Sequence, residues 1–219
     1  MRKLGIIGGA SWSSTALYYD HINRGVSGRL GGLHSARLVI ESFDFEDDYA
    51  RFHRSEDWQG ANGVVVEAAK RLAGAGAEGL LLASNTMHKA TDEVAEATGL
   101  TIIDIREVTA ERLVADRRTR IALLGTRFTM SEPFARGPYE ERGIVVHEIK
   151  PEWRKEVDRI IYEELAAVQR ASTGRQKLPV HPAARRSSLP AHPEASRRAA
   201  DQRAILWAFR KRRLGHSNA

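Results

Sequence analysis

Apolar residues follow two alternating rhythms along this chain. Short aliphatic runs at residues 4–7, 36–45, 79–83, 100–103, 121–124 and 144–149 have the length of strands. Between them lie stretches whose apolar positions recur three and four apart, the spacing of one helix face. The first run ends at Gly8-Gly9 and leads into a helical pattern over 12–23, with Ser13 or Ser14 as the expected cap. A helix over 60–74 would bury Val64, Val65, Ala68, Ala69 and Leu72; another over 91–98 is closed by Gly99, and a third covers 106–115. At Arg120 the pattern begins again. It runs through strand 121–124, a Gly125-Thr126 loop, a helix over 130–142 interrupted near Gly137-Pro138, and strand 144–149. A last helix over 153–169 turns Val157, Ile160, Ile161, Leu165 and Val168 inward.

Strands alternating with helices through short connections predict an α/β fold with parallel sheets flanked by helices. The restart divides the chain into a first lobe, residues 1–103, and a second, residues 104–173. Ligands in such sheets sit beyond the carboxyl ends of the strands. Residues 8–14, 84–88 and 125–129 each follow a strand directly, so three polar loops are expected at one rim.

Charge changes this picture only at the end of the chain. The protein has 219 residues, 34 basic and 28 acidic, a net charge of +6 and a pI near 9.8. Eleven of the basic residues, two of the acidic ones and four of the seven prolines fall after residue 173, which leaves the preceding body slightly acidic. Residues 174–219 therefore read as an irregular basic tail, with one short helix expected near 202–212. The arginine, proline and alanine content of this stretch is what a GC-rich gene yields out of frame. A frameshifted tail is the expectation, and a native basic tail the alternative. An acidic body and a tail without interleaved aromatics argue against a nucleic-acid partner. No run approaches the roughly 18 apolar residues of a membrane span, and the start lacks a signal-peptide pattern, so a cytoplasmic protein is expected.

Candidate chemistry narrows quickly. With no cysteine there is no disulfide, thiolate metal site or cysteine nucleophile. His34, His53 and His147 lack metal-ligand spacing, so no metal is expected, and Gly8-Gly9 completes neither a dinucleotide nor a phosphate-loop fingerprint. Ser84, Asn85 and Thr86, after the apolar run at 79–83, are either a helix cap or a cluster of ligand-binding groups, and His88 and Lys89 could be a solvated helix face.

Four segments together decide between these readings. "GIIGGASWSSTALYYDHIN", "RLGGLHSARLVIESFDF", "SNTMHK" and "ALLGTRFTM" resemble, in order, the G-G-x-S-W-x-S-T opening, second strand, C-N-T-x-H motif and G-T-x-x-T loop of the aspartate/glutamate racemase family, within the wider group of aspartate, glutamate and hydantoin racemases. The similarity runs from residue 1 to about residue 173. It implies two pseudo-symmetric α/β lobes with the active site between them, and a cofactor-independent isomerase acting on an acidic amino acid, with a homodimer compatible. Such an enzyme removes the α-proton from one face of the substrate and returns a proton to the other, so two acid/base groups flank the carbon. By this resemblance Ser84 stands at the catalytic position, and Ala10, Ser11, His53, Asn85, Thr86, Thr126, Thr129 and Lys155 at substrate-binding positions.

Two departures weaken the expected activity. Ser84 replaces the cysteine of C-N-T-x-H, and a hydroxyl is a poor base without an activating neighbour. The second motif, G-C-T-E, should fall near 190–205, where the chain reads "PAHPEASRRAADQRAIL". The expectation is a racemase by descent with impaired turnover; the alternative is a catalytically silent protein that binds an acidic amino acid.

Overall fold

The structure, a computed structural model, describes residues 1–165. Its first half is a four-stranded parallel sheet in the order β2-β1-β3-β4. The chain runs through β1 (Leu4–Gly8), α1 (Trp12–Leu30), β2 (Leu38–Ser42), a π-helical turn at Phe45–Tyr49, α2 (Ala50–Ser55), α3 (Trp58–Gly74) and β3 (Leu80–Leu82). A 3-10 turn at Thr86–Ala90, α4 (Thr91–Thr98) and β4 (Ile102–Ile103) complete it. β1 and β3 are buried along their whole length, as continuous aliphatic runs require when both faces of a sheet are covered. Alternate side chains serve opposite cores. Ile7, Leu80 and Leu82 pack against Val65, Ala68, Ala69 and Leu72 of α3, while Leu4, Ile6 and Leu81 pack with Ile103 against Tyr18 and Ile22 of α1.

The second half holds α5 (Ile105–Ala115), β5 (Arg120–Ala122), α6 (Arg127–Ser131), α7 (Pro133–Glu140), β6 (Val145–His147) and α8 (Pro151–Arg159), which continues as a π-helical turn to Leu165. β5 and β6 pair in parallel as a separate sheet. Ala110, Tyr139, Ile144 and Val146 form its core.

Three expectations are corrected here. The cap of α1 is Ser11, whose Oγ accepts from the amide of Ser14, rather than Ser13 or Ser14. The helix expected over 130–142 breaks at Glu132-Pro133 instead of Gly137-Pro138. Pro133 opens α7, where a missing N–H costs nothing, and Pro138 is tolerated inside it. Proline at 138 leaves the carbonyl of Phe134 without its helical donor, and Arg106 Nη1 donates to that oxygen at 2.6 Å. Finally, Leu165 is exposed rather than inward-facing, and no residue of α8 is fully buried. Val168 and the tail expectations from residue 174 onward lie outside the described residues. No helix among the described residues is long and apolar enough to cross a membrane.

Candidate active site

In the order β2-β1-β3-β4 the chain passes from β1 to β2 on one side and then crosses back over β1 to β3 on the other, so β1 and β3 flank the point where the winding reverses. Loops diverge there and leave a crevice at the strand ends. The loop after β1 is shaped by Gly9, whose φ of +93° and approach to Phe43 leave no room for a side chain: an added Cβ would lie 2.3 Å from the Phe43 backbone N and O. Its amide is already used, donating to Thr15 Oγ1 at 3.0 Å. Thr15 in turn donates to the carbonyl of Ser11 at 3.1 Å. The amide of Gly9 is thus committed to the loop itself.

After β3, Ser84, Asn85 and Thr86 enter a cavity of about 620 Å³ that also receives Gly125, Thr126 and Thr129 from the end of β5 and the start of α6. Thr86 and Thr126 Oγ1 atoms approach to 3.3 Å, and Thr126 and Thr129 to 3.4 Å, so three hydroxyls bridge the ends of the two sheets through long hydrogen bonds. Asn85 occupies the cap position of the 3-10 turn without a side-chain capping bond, and Thr126 stands likewise before α6. The helix-cap explanation of these polar residues therefore fails, and their side chains face the cavity uncommitted to a helix end.

His88 answers a different need. It is buried rather than part of a solvated face: Nδ1 donates to the Ser84 carbonyl at 2.8 Å, and Nε2 accepts from the Ile105 amide at 3.4 Å. Burial holds its pKa below the usual imidazole value, with Asp104 opposing and Arg106 reinforcing that shift. The neutral ring pins the backbone of Ser84 through its carbonyl rather than its hydroxyl. Lys89 is drawn inward too. Its ammonium lies 3.8 Å from the Trp58 ring centroid, near Phe134, and pairs with Glu132.

Of the remaining expected residues, Ala10, Ser11 and His53 line the same cavity, whereas Lys155 sits on the exposed side of α8 and borders neither it nor the adjoining one. Sequence reading missed the helical stretch around His53, although Asp44 followed by Glu46, Asp47 and Asp48 is a capped, acidic first turn; Asp44 accepts from the amides of Glu46 and Asp47. His53 Nε2 lies 2.9 Å from the Tyr162 hydroxyl and its ring packs edge-on against Phe128 at 5.1 Å and Trp58 at 5.8 Å. Desolvation, then the Arg127 charge, lowers its pKa against the pull of Asp158 and Glu56. His53 and Tyr162 also line the adjoining cavity of about 710 Å³, where Arg54 pairs with Glu46, and Arg127 with Glu56 and Asp158.

Comparison with known proteins places this arrangement. A protein of Yersinia pestis proposed to be an Asp/Glu racemase is 35% identical, over 95% of this chain and 100% of its own, with a TM-score of 0.71. An aspartate racemase homologue from Pyrococcus horikoshii is 34% identical over 76% of this chain and 72% of its own, with a TM-score of 0.64. The aspartate racemase of Picrophilus torridus, 17% identical with a TM-score of 0.60 over 78% of this chain and 73% of its own, shares the fold. The model of the Asp/Glu/hydantoin racemases matches residues 7–187, past the point where the motifs stop being readable. On the strength of that match and of the two relatives above one-third identity, the chain belongs to the Asp/Glu/hydantoin racemase family.

Proposed function

We propose that this protein is an amino-acid racemase of the aspartate/glutamate type by descent, binding an acidic amino acid in the 620 Å³ cavity without a cofactor. In this reading residues 1–103 and 104–173 are the two lobes, and the substrate lies between them. The observation that carries it is the convergence of Asn85 and Thr86 from one sheet with Thr126 and Thr129 from the other on a single cavity. Amide and hydroxyl donors of this kind can hold an α-carboxylate and take up the charge that spreads into it when the α-proton leaves. Ala10 and Ser11 close the same wall from the β1 loop.

Turnover by two-base proton transfer is expected to be impaired. Ser84 stands where the proton would be taken, but among the described residues its hydroxyl has no hydrogen-bonded base, since His88 faces the Ser84 carbonyl, and the sequence contains no cysteine for the opposite face. Calorimetric titration with L- and D-aspartate and glutamate tests the binding step, with enantiomer interconversion followed by chiral chromatography. Binding that is lost in Asn85→Ala, with interconversion far below an ordinary turnover of about 1–1000 per second, is the expected result. Interconversion at ordinary rates would refute the impairment. Absence of binding by all four amino acids would refute the reading.

A further inference from the structure

The chemistry left in this cleft can be counted. Among the described residues lining the cavity that contains Ser84 there is no carboxylate, lysine or arginine; the titratable side chains are Tyr18, Tyr49, Tyr162 and His53. Burial raises the pKa of each tyrosine, that of Tyr49 to about 12, so none is ionised near neutral pH. Among the described lining residues, His53 remains as the group that can accept a proton there. It arrives on α2, away from the β3 end that carries Ser84, and the 2.9 Å contact with Tyr162 fixes its ring between the two cavities.

We propose that His53, held by Tyr162, is the acid/base group that the described residues supply to this cleft, and that the protein exchanges the α-hydrogen of one enantiomer of an acidic amino acid with solvent while retaining its configuration. The inference rests on the amino-acid-binding reading of the same cavity. In the forward step the α C–H bond breaks, its electron pair spreads into the substrate carboxylate, and the proton passes to Nδ1 of the tautomer whose Nε2–H donates to the Tyr162 hydroxyl, giving imidazolium. The imidazolium exchanges that proton with water, and the same ring returns a solvent proton to the same face. No redox change or co-reactant is involved. Ser84, on the β3 loop, offers a hydroxyl with no activating base among the described residues, so delivery to the opposite face is slow and configuration survives. His53 is surrounded by Tyr49 on the preceding turn, Arg54 and Glu56 on its own segment, Arg127 on α6, and Asp158 and Tyr162 on the last helix. Its lowered pKa keeps the ring in the basic form at neutral pH, so exchange should rise with pH below about 6.5 and level off above it.

The experiment incubates the full chain in deuterated buffer with L- and D-aspartate and glutamate in turn. It follows loss of the α-proton signal by NMR and optical purity by chiral chromatography, with binding measured in parallel by calorimetry. The expected result is deuterium entering one enantiomer at least about a hundredfold faster than that enantiomer inverts, with His53→Gln slowing exchange about a hundredfold or more when measured at saturating amino acid. Tyr162→Phe, which keeps the ring packing, should move the midpoint of the exchange-pH profile. It serves as the readout should the Gln variant fail to fold. Binding without exchange, exchange unchanged in His53→Gln, an unmoved profile in Tyr162→Phe, or inversion as fast as exchange each overturns the inference and leaves the binding reading standing. Absence of binding overturns both.

Discussion

The two sheets meet the cavity with unequal foundations. Behind Ser84 and Thr86 stand β1 and β3, buried on both faces by α1 and α3. Behind Thr126 stand β5 and β6, whose residues alternate between the core and solvent, with Val145 52% exposed and Ile144 and Val146 buried. The first sheet therefore holds its strand ends by its own core. The second also depends on polar contacts within its own half, Arg106 to the Phe134 carbonyl and Arg142 to Glu107, and on side chains reaching across from the first, Lys89 to Glu132 and Trp58 edge-on to Phe128 at 4.6 Å. A site split this way has one wall set by core packing and another set by a few polar and aromatic contacts, and substitutions on the two sides should not be equivalent.

The glycines at the two strand ends give the largest expected contrast. Gly9→Val forces a side chain against backbone at positive φ and should cost about 4 kcal/mol or more, enough to unfold a domain of ordinary stability. Gly125→Ala meets only the Thr129 side chain at 3.0 Å, which can shift, and should cost about 1 kcal/mol. Urea denaturation of both variants measures the difference, and equal losses would break the comparison. Next in size is Leu80→Ala, expected to cost about 3 kcal/mol in the fully buried strand, against about 0.5 kcal/mol or less for Val145→Ala.

A smaller effect comes from pH. His53 and His88 both have folded-state pKa values lowered mainly by burial, so below the ordinary value of 6.5 the unfolded chain binds more protons than the folded one. Their contribution to stability is complete above that pH and is lost as pH falls through it. The melting temperature should therefore drop between about pH 7 and pH 5, and less so in His88→Asn measured against its own neutral-pH value. An unchanged slope in that variant would show that His88 does not carry the effect. Thr126→Val removes the hydroxyl that meets Thr86 and should alter stability by about 1 kcal/mol or less while weakening amino-acid binding about tenfold in calorimetry. Lys155→Ala, on the exposed side of α8, should leave binding within about twofold; a larger loss would bring that helix into the site.

Much of this could be read along the chain because it is local. Continuous aliphatic runs at β1 and β3 signal strands covered on both faces, and Gly99 ends α4 in the left-handed conformation that glycine permits. The loops after β1, β3 and β5 follow from the rule for parallel sheets, which is how Ser84, Asn85, Thr86 and Thr126 can be assembled from the sequence alone. The stretch at 45–55 was not legible, since its aromatics and charges follow no single helical face. The break between α6 and α7 was misplaced because the proline that is harmless inside the helix owes its tolerance to Arg106, 28 residues from the carbonyl it serves.

By itself, then, the sequence determined which polar groups stand at strand ends and which lack a cysteine's chemistry, since both depend on residue identity and short-range periodicity. Only the tertiary structure decided that Thr86 meets Thr126 across 40 residues of chain, that His88 turns inward to hold Ser84, and that His53 meets Tyr162 across 109. Those contacts arise from how helices dock on two separate sheets, and docking is governed by the summed burial of many side chains, for which no local pattern stands as a marker.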